Sequence, residues 1–122
     1  MEKVILVVDD EEDIRLLYKD ELTDEGYEIV LAENGKEALE KIKEKMPDLI
    51  TLDIRMPKMD GMEFLRRLRE IDRDLPVILC TAYGDYRRDF RAWASDVYIT
   101  KSSNLDELKT TIKQLLSKQK KD

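Results

Sequence analysis

Val4-Ile5-Leu6-Val7-Val8-Asp9-Asp10 is the stretch on which the reading of this chain turns. An unbroken apolar run of that length, mostly β-branched, reads as a strand buried on both faces rather than one with a wet side. Two acids follow at its carboxyl end. Working outward, the same kind of run recurs at 27–32, Leu49–Asp53, Val77–Thr81 and Val97–Thr100. Between the runs the period changes to that of a helix. Residues 13–25 place Ile14, Leu17, Tyr18, Glu21 and Leu22 on one mostly apolar face, and Gly26 is the expected C-cap. Residues 35–45 turn Ala38, Leu39 and Ile42 inward, with Pro47 just past the end. The stretch 55–60, with Pro57 and then Gly61, reads as a loop, and 62–71 as a helix with Phe64, Leu65 and Leu68 inward. A shorter helix is expected over 85–94. The last starts near Asn104, with Glu107 reaching back in a capping-box pattern, and runs through Leu105, Leu108, Ile112 and Leu115 to the basic tail 118–121.

Strands joined through helices run parallel, and a sheet of strands buried on both faces needs helices on both. The expected fold is therefore α/β, a doubly wound five-stranded parallel sheet. There is no internal repeat, low-complexity segment or linker, so residues 1–122 read as one domain. A chain of 122 residues, 42% hydrophobic, can bury a core without disulfides or a structural metal.

Composition excludes several function classes. The net charge of −6 argues against a general binder of nucleic acid or anionic membrane. Val4–Val8 is far short of the roughly 18 apolar residues of a membrane span, and no secretory signal pattern precedes it, so a cytoplasmic protein without membrane insertion is expected. Cys80 is the single cysteine, which fits a reducing compartment, and within its apolar run it reads as a buried small hydrophobe. With no histidine, Ser-His-Asp and Cys-His catalysis and histidine metal sites are out. Carboxylates, hydroxyls, Lys and Arg remain.

In open parallel sheets, ligands bind beyond the carboxyl ends of the strands. Asp9 and Asp10 end the first strand, Asp53 the third and Thr81 the fourth, and Lys101 follows the fifth. Singly, each has a plain structural reading: a helix cap, a strand end, a turn hydroxyl, a surface charge. Jointly they gather three carboxylates, a hydroxyl and an ammonium on one edge. Clustered carboxylates repel, and a hard cation relieves the repulsion. Mg²⁺, with its preference for oxygen ligands and phosphate, fits better than zinc. One carboxylate is then available as a nucleophile toward phosphorus. Lys101 supplies a point charge for a phosphoryl oxygen, and Thr81 a donor.

These residues, in this order, resemble the receiver domains of two-component response regulators along nearly the whole chain. The resemblance rests on Val7-Val8-Asp9-Asp10-Glu11, on Leu52-Asp53-Ile54-Arg55-Met56-Pro57-Lys58-Met59-Asp60-Gly61, on Cys80-Thr81-Ala82-Tyr83 and on Tyr98-Ile99-Thr100-Lys101. It implies a flavodoxin-like sheet of strand order 2-1-3-4-5 and a phosphorylation-activated switch rather than an enzyme. Asp53 resembles the acceptor of a phosphoryl group from a partner phosphohistidine, on a sensor histidine kinase or a histidine phosphotransfer protein. Asp10, Asp53 and the backbone carbonyl of Arg55 look like Mg²⁺ ligands, and Asp9 like the acid that acts through metal-bound water. Thr81 and Lys101 look like the pair that grips the phosphoryl group, and Tyr98 matches the aromatic switch position.

The chain departs from the family pattern in three places. Ser102 stands where Pro usually follows the Lys, Ala94-Ser95-Asp96 replaces the usual Gly-Ala before the fifth strand after a short stretch 82–96, and Arg55 sits two residues beyond the acceptor. Arg55 and Tyr83 are expected to flank the phosphoryl site and shield the mixed anhydride from water. Output is expected through a face built from 86–94, Val97–Thr100 and the last helix toward a downstream protein, with Trp93 either an anchor there or a core residue. Two other readings stay open: a phosphorylation-independent module with a receiver fold, and an aspartate-nucleophile phosphohydrolase of the haloacid-dehalogenase type. The second wants another Asp where this chain has Arg55.

Overall fold

The structure is a computed structural model and describes residues 2–53, 61–81, 97–100 and 105–119. In chain order the described elements are β1 (Val4–Val8), α1 (Glu12–Asp24), β2 (Glu28–Ala32), α2 (Gly35–Glu44), β3 (Leu49–Asp53), α3 (Gly61–Ile71), β4 (Val77–Thr81), β5 (Val97–Thr100) and α4 (Asp106–Gln119). The helix expected over 85–94, Trp93, and the expected cap Asn104 lie outside the described residues.

The strands form one parallel sheet in the order β2-β1-β3-β4-β5, the order that the family resemblance implies. Side chains alternate across a strand, so each buried strand feeds two cores. Leu6, Val8, Ile50, Leu52, Val77 and Leu79 pack on one face with Ala38 and Ile42 of α2 and Phe64, Leu65 and Leu68 of α3. Ile5, Val7, Leu49, Ile78, Cys80 and Ile99 pack on the other with Tyr18 and Leu22 of α1 and Leu108, Ile112 and Leu116 of α4. Each fully buried Leu, Ile or Phe in these layers contributes roughly 1.5–3 kcal/mol. β1 and β3 are buried at every position, while edge strand β2 is mostly half-exposed.

The ends of the elements explain small differences from the expected boundaries. Gly26 takes φ +98°, where a side chain is strained, and its N–H donates to Thr23 O at 2.9 Å. Tyr27 N–H reaches back to Leu22 O at 3.3 Å. This pair of bonds is the Schellman closure of α1, so Tyr27 belongs to the helix end and β2 starts one residue later, at Glu28. α2 is capped as its composition invites: Asn34 Oδ1 accepts from Glu37 N at 2.8 Å, and Glu37 Oε1 accepts from Glu33 N at 2.7 Å. Gly61, expected in a loop, is instead the first residue of α3. α4 packs beside α1, where Lys109 Nζ donates to Glu21 Oε1 at 2.7 Å. Glu21, its side chain 42% exposed, lies at the border of the inward face of α1 and pairs across to α4.

At the amino end of the sheet, β1 and β3 are clamped. Asp48 N donates to Val4 O at 2.7 Å, and Val4 N donates to Asp48 Oδ2 at 2.7 Å. This fixes the stagger of the two strands and thereby the level at which they end on the opposite edge.

Candidate functional site

At the carboxyl edge, register decides which side chains meet. Val8 is level with Leu52, so Asp9 and Asp53 follow as the next residue on adjacent strands. Both are buried, 3% and 5% exposed, whereas Asp10 is exposed. One carboxylate oxygen from each of Asp9, Asp10 and Asp53 lies within 4.8 Å of the others. Sequence order alone put these acids on one edge; the register of β1 against β3 makes them a cluster.

The backbone around Asp9 is held firmly. Its N–H donates to Ala32 O of β2 at 3.1 Å, its Oδ1 accepts from Glu11 N at 2.9 Å, and its carbonyl accepts from Arg15 Nη1 at 2.9 Å. The bond to Glu11 is an Asx turn, so the plain reading of Asp9 as a residue that organises the start of a helix also holds. It leaves Asp9 Oδ2 outside that turn. Glu11, at the head of α1, makes no side-chain cap bond of its own.

Beneath the acids, on the α1 side of the sheet, Tyr18 is 3% exposed and hydrogen-bonded to Cys80. Burial first, then the Cys80 thiol, then the Asp9 and Asp53 carboxylates push its hydroxyl far above the ordinary tyrosine range. Tyr18 is therefore a neutral donor at neutral pH. Cys80 is itself the register partner of Asp53, so the pair ties α1 to the strand beside the acidic cluster. Tyr18 was legible only as an inward residue. Its pairing with Cys80 had no sequence signal, because the two are far apart in the chain.

Thr81 ends β4 one residue beyond Cys80, and stands opposite Thr100 in β5. Tyr98 lies in β5 opposite Leu79. Lys101, the residue after Thr100, and Arg55, Tyr83 and Ser102 lie outside the described residues. The backbone thus brings Thr81 to the same edge as Asp53.

The donor set suits a hard divalent cation. Two buried carboxylates and a third beside them repel without a compensating charge, and all three present oxygen. Nothing among these residues is a nitrogen or thiolate ligand of the kind zinc prefers. Asp9, Asp10 and Asp53 would hold Mg²⁺, a cation that takes carboxylate oxygens and keeps waters and phosphate oxygens as its other ligands. Among the described residues no helix is long and apolar enough to cross a membrane.

Comparison with known proteins points the same way. The model of the response regulator receiver domain matches residues 5–113. Sporulation initiation phosphotransferase F of Bacillus subtilis is 36% identical over 118 residues, 95% of either chain. The chemotaxis protein CheY of the same organism is 48% identical over 81 residues, 66% of this chain and 68% of that one. Among solved structures, the response regulator TrrA of Thermotoga maritima in complex with Mg²⁺-BeF superposes with a TM-score of 0.88 at 52% identity, covering 93% of this chain and 98% of that one. TrrA in complex with the histidine kinase ThkA matches with a TM-score of 0.86 at 53% identity over the same shares. With its sheet order, its acidic edge and this family match together, the chain belongs to the response regulator receiver domains, the phosphorylation-activated switches of two-component signalling.

Proposed function

We propose that Asp53 is the residue on which this switch is thrown. The observation that carries the proposal is the convergence of the Asp9, Asp10 and Asp53 carboxylates at the carboxyl edge of the sheet. Of the three, Asp10 is exposed and Asp9 spends Oδ1 on the Glu11 N–H, whereas Asp53 is buried at the end of the central strand, which favours it as the nucleophile. A carboxylate oxygen of Asp53 forms the new bond to phosphorus as the bond from phosphorus to a partner imidazole nitrogen breaks; that electron pair stays on the nitrogen, and the ring leaves as a neutral imidazole because its other nitrogen already carries a proton. When bound, Mg²⁺ neutralises charge on the transferred oxygens.

This chain's own residues do the rest. Asp10, Asp53 and the backbone carbonyl of Arg55 would hold the cation directly, and Asp9 would act on it through metal-bound water. Lys101 and the Thr81 hydroxyl grip phosphoryl oxygens, and Thr81 and Tyr98 relay the modification toward β5 and α4. Arg55 and Tyr83 flank the mixed anhydride and exclude water, so that Arg55→Ala and Tyr83→Ala each shorten the lifetime of the phosphorylated protein. Slower loss of phosphate from both variants would make Arg55 a catalyst of hydrolysis instead.

TrrA's complexes with Mg²⁺-BeF and with a histidine kinase support a cation-assisted acceptor and a kinase partner for its relative here. The proposed partners are a sensor histidine kinase or a histidine phosphotransfer protein upstream and a protein target downstream, in the cytoplasm, without direct contact to nucleic acid. The proposed unit is one receiver domain over residues 1–122, acting as a regulatory protein rather than a turnover enzyme. The test is mass spectrometry after incubation with a small acyl phosphate and Mg²⁺. One added phosphoryl group, mapped to Asp53, is expected; a group mapped elsewhere defeats the assignment.

A further inference from the structure

We propose that Arg15 is a positioning residue for the metal site: its guanidinium fixes the peptide that joins Asp9 to Asp10, and so sets where the Asp10 carboxylate stands. The inference rests on the reading of Asp9, Asp10 and Asp53 as the Mg²⁺ site.

Asp9 is buried and held at its N–H and its Oδ1, by Ala32 O and Glu11 N. Asp10 is exposed, in a bend between β1 and α1. Its carboxylate nevertheless belongs to the cluster. An exposed side chain on a three-residue junction goes where its backbone aims it. That aim depends on the plane of the Asp9–Asp10 peptide, because rotating the plane swings the Cα–Cβ direction of Asp10. The oxygen of that peptide is the Asp9 carbonyl, and Arg15 Nη1 donates to it at 2.9 Å in a partly buried setting.

Arg15 is well placed to act as a fixed post. Its backbone N–H donates to Glu11 O at 3.1 Å in the first turn of α1, and α1 is docked on the sheet through Tyr18 and Leu22. The reach of six residues, from helix back to strand end, ties the turn to a rigid element. A guanidinium presents its donors in a planar fork, so it restrains the direction of a carbonyl better than an ammonium does. Groups that orient metal ligands in this way typically govern affinity by about ten- to a hundredfold.

A competing effect has the opposite sign. A cation beside three carboxylates repels Mg²⁺, so if charge alone mattered, its removal would tighten binding. Isothermal titration with Mg²⁺ alone separates the two. Compared with the parent, Arg15→Ala is expected to bind Mg²⁺ about tenfold more weakly, and Arg15→Lys, which keeps the charge and loses the fork, to fall in between. Circular dichroism checks that each variant is folded at the titration temperature. A readout without metal accompanies it: amide exchange at Glu11, whose N–H leans on Asp9 Oδ1, should quicken in Arg15→Ala, while exchange at Asp9, bonded to Ala32, should hold. Unchanged or tighter Mg²⁺ binding in Arg15→Ala, or unchanged exchange at Glu11, overturns the proposal. A parent that fails to bind Mg²⁺ overturns the metal reading itself, and this inference with it.

Discussion

Asp48 and Asp53 stand at the two ends of the same strand region, and the fold puts them to opposite uses. Asp48 precedes β3 and spends its carboxylate on the backbone: Oδ2 accepts from Val4 N at 2.7 Å while its own N–H donates to Val4 O. Asp53 closes β3, is 5% exposed, and faces two other carboxylates within 4.8 Å. One acid is compensated by a neighbouring strand and holds register. The other is gathered with like charges at the edge where parallel sheets bind ligands. Residue type is the same; what differs is the neighbourhood, a strand-end backbone for Asp48 and two further carboxylates within 4.8 Å for Asp53. The clamp at one end serves the cluster at the other, because the stagger of β1 on β3 levels Asp9 with Asp53.

The sharpest way to break the comparison is to neutralise each acid in turn. Asp53→Asn should abolish phosphoryl incorporation while raising the thermal midpoint of the metal-free protein, since it removes one of three mutually repelling charges. A metal-free variant clearly less stable than the parent would mean that Asp53 is a structural acid after all. Asp10→Asn should weaken Mg²⁺ binding and phosphorylation together, by about tenfold or more. In the parent, Mg²⁺ at a hundredfold excess over its Kd should add about 2.7 kcal/mol of stability. A thermal midpoint indifferent to millimolar Mg²⁺ would contradict the metal site.

Asp48→Ala probes the other end. It leaves Val4 N without its charged acceptor and should cost about 2 kcal/mol in a urea titration. Phosphorylation by a small donor should proceed at the parent's rate in the fraction that is folded. A phosphorylation defect as large as that of Asp10→Asn would show that the clamp and the site are not separable.

The smallest expected effect concerns Tyr18, the neutral donor beneath the acids. Its folded pKa is raised by burial, by Cys80 and by the carboxylates of Asp9 and Asp53. Its stabilising contribution is therefore fully present below the unfolded-state value near 10 and is lost as pH rises beyond it. The proton held only by the folded state adds a slope of about 1.4 kcal/mol per pH unit above about pH 10. Tyr18→Phe should remove that part of the decline and leave the part due to other groups. Parallel alkaline stability curves for parent and variant would show that Tyr18 ionises as freely in the fold as outside it.

Much of this architecture could be read before any coordinate was known, and the reason is local. The run Val4–Val8, the runs at Leu49–Asp53 and Val77–Thr81, and the intervening helical periods specify parallel strands with helices on both faces, since that is the arrangement that hides strands apolar at every position. Parallel strands end on one edge, so Asp9, Asp10, Asp53 and Thr81 had to arrive there. What the sequence could not supply was contact between distant residues. Whether three acids on an edge become a cluster depends on the stagger of β1 against β3, which the Asp48–Val4 bonds hold. Arg15 looks like any half-exposed helix residue because its partner is a backbone carbonyl, and backbone acceptors have no residue-type signature. Tyr18 and Cys80 each read as core; that they meet is decided by the rotation of α1 over the sheet, a packing outcome that no local pattern encodes.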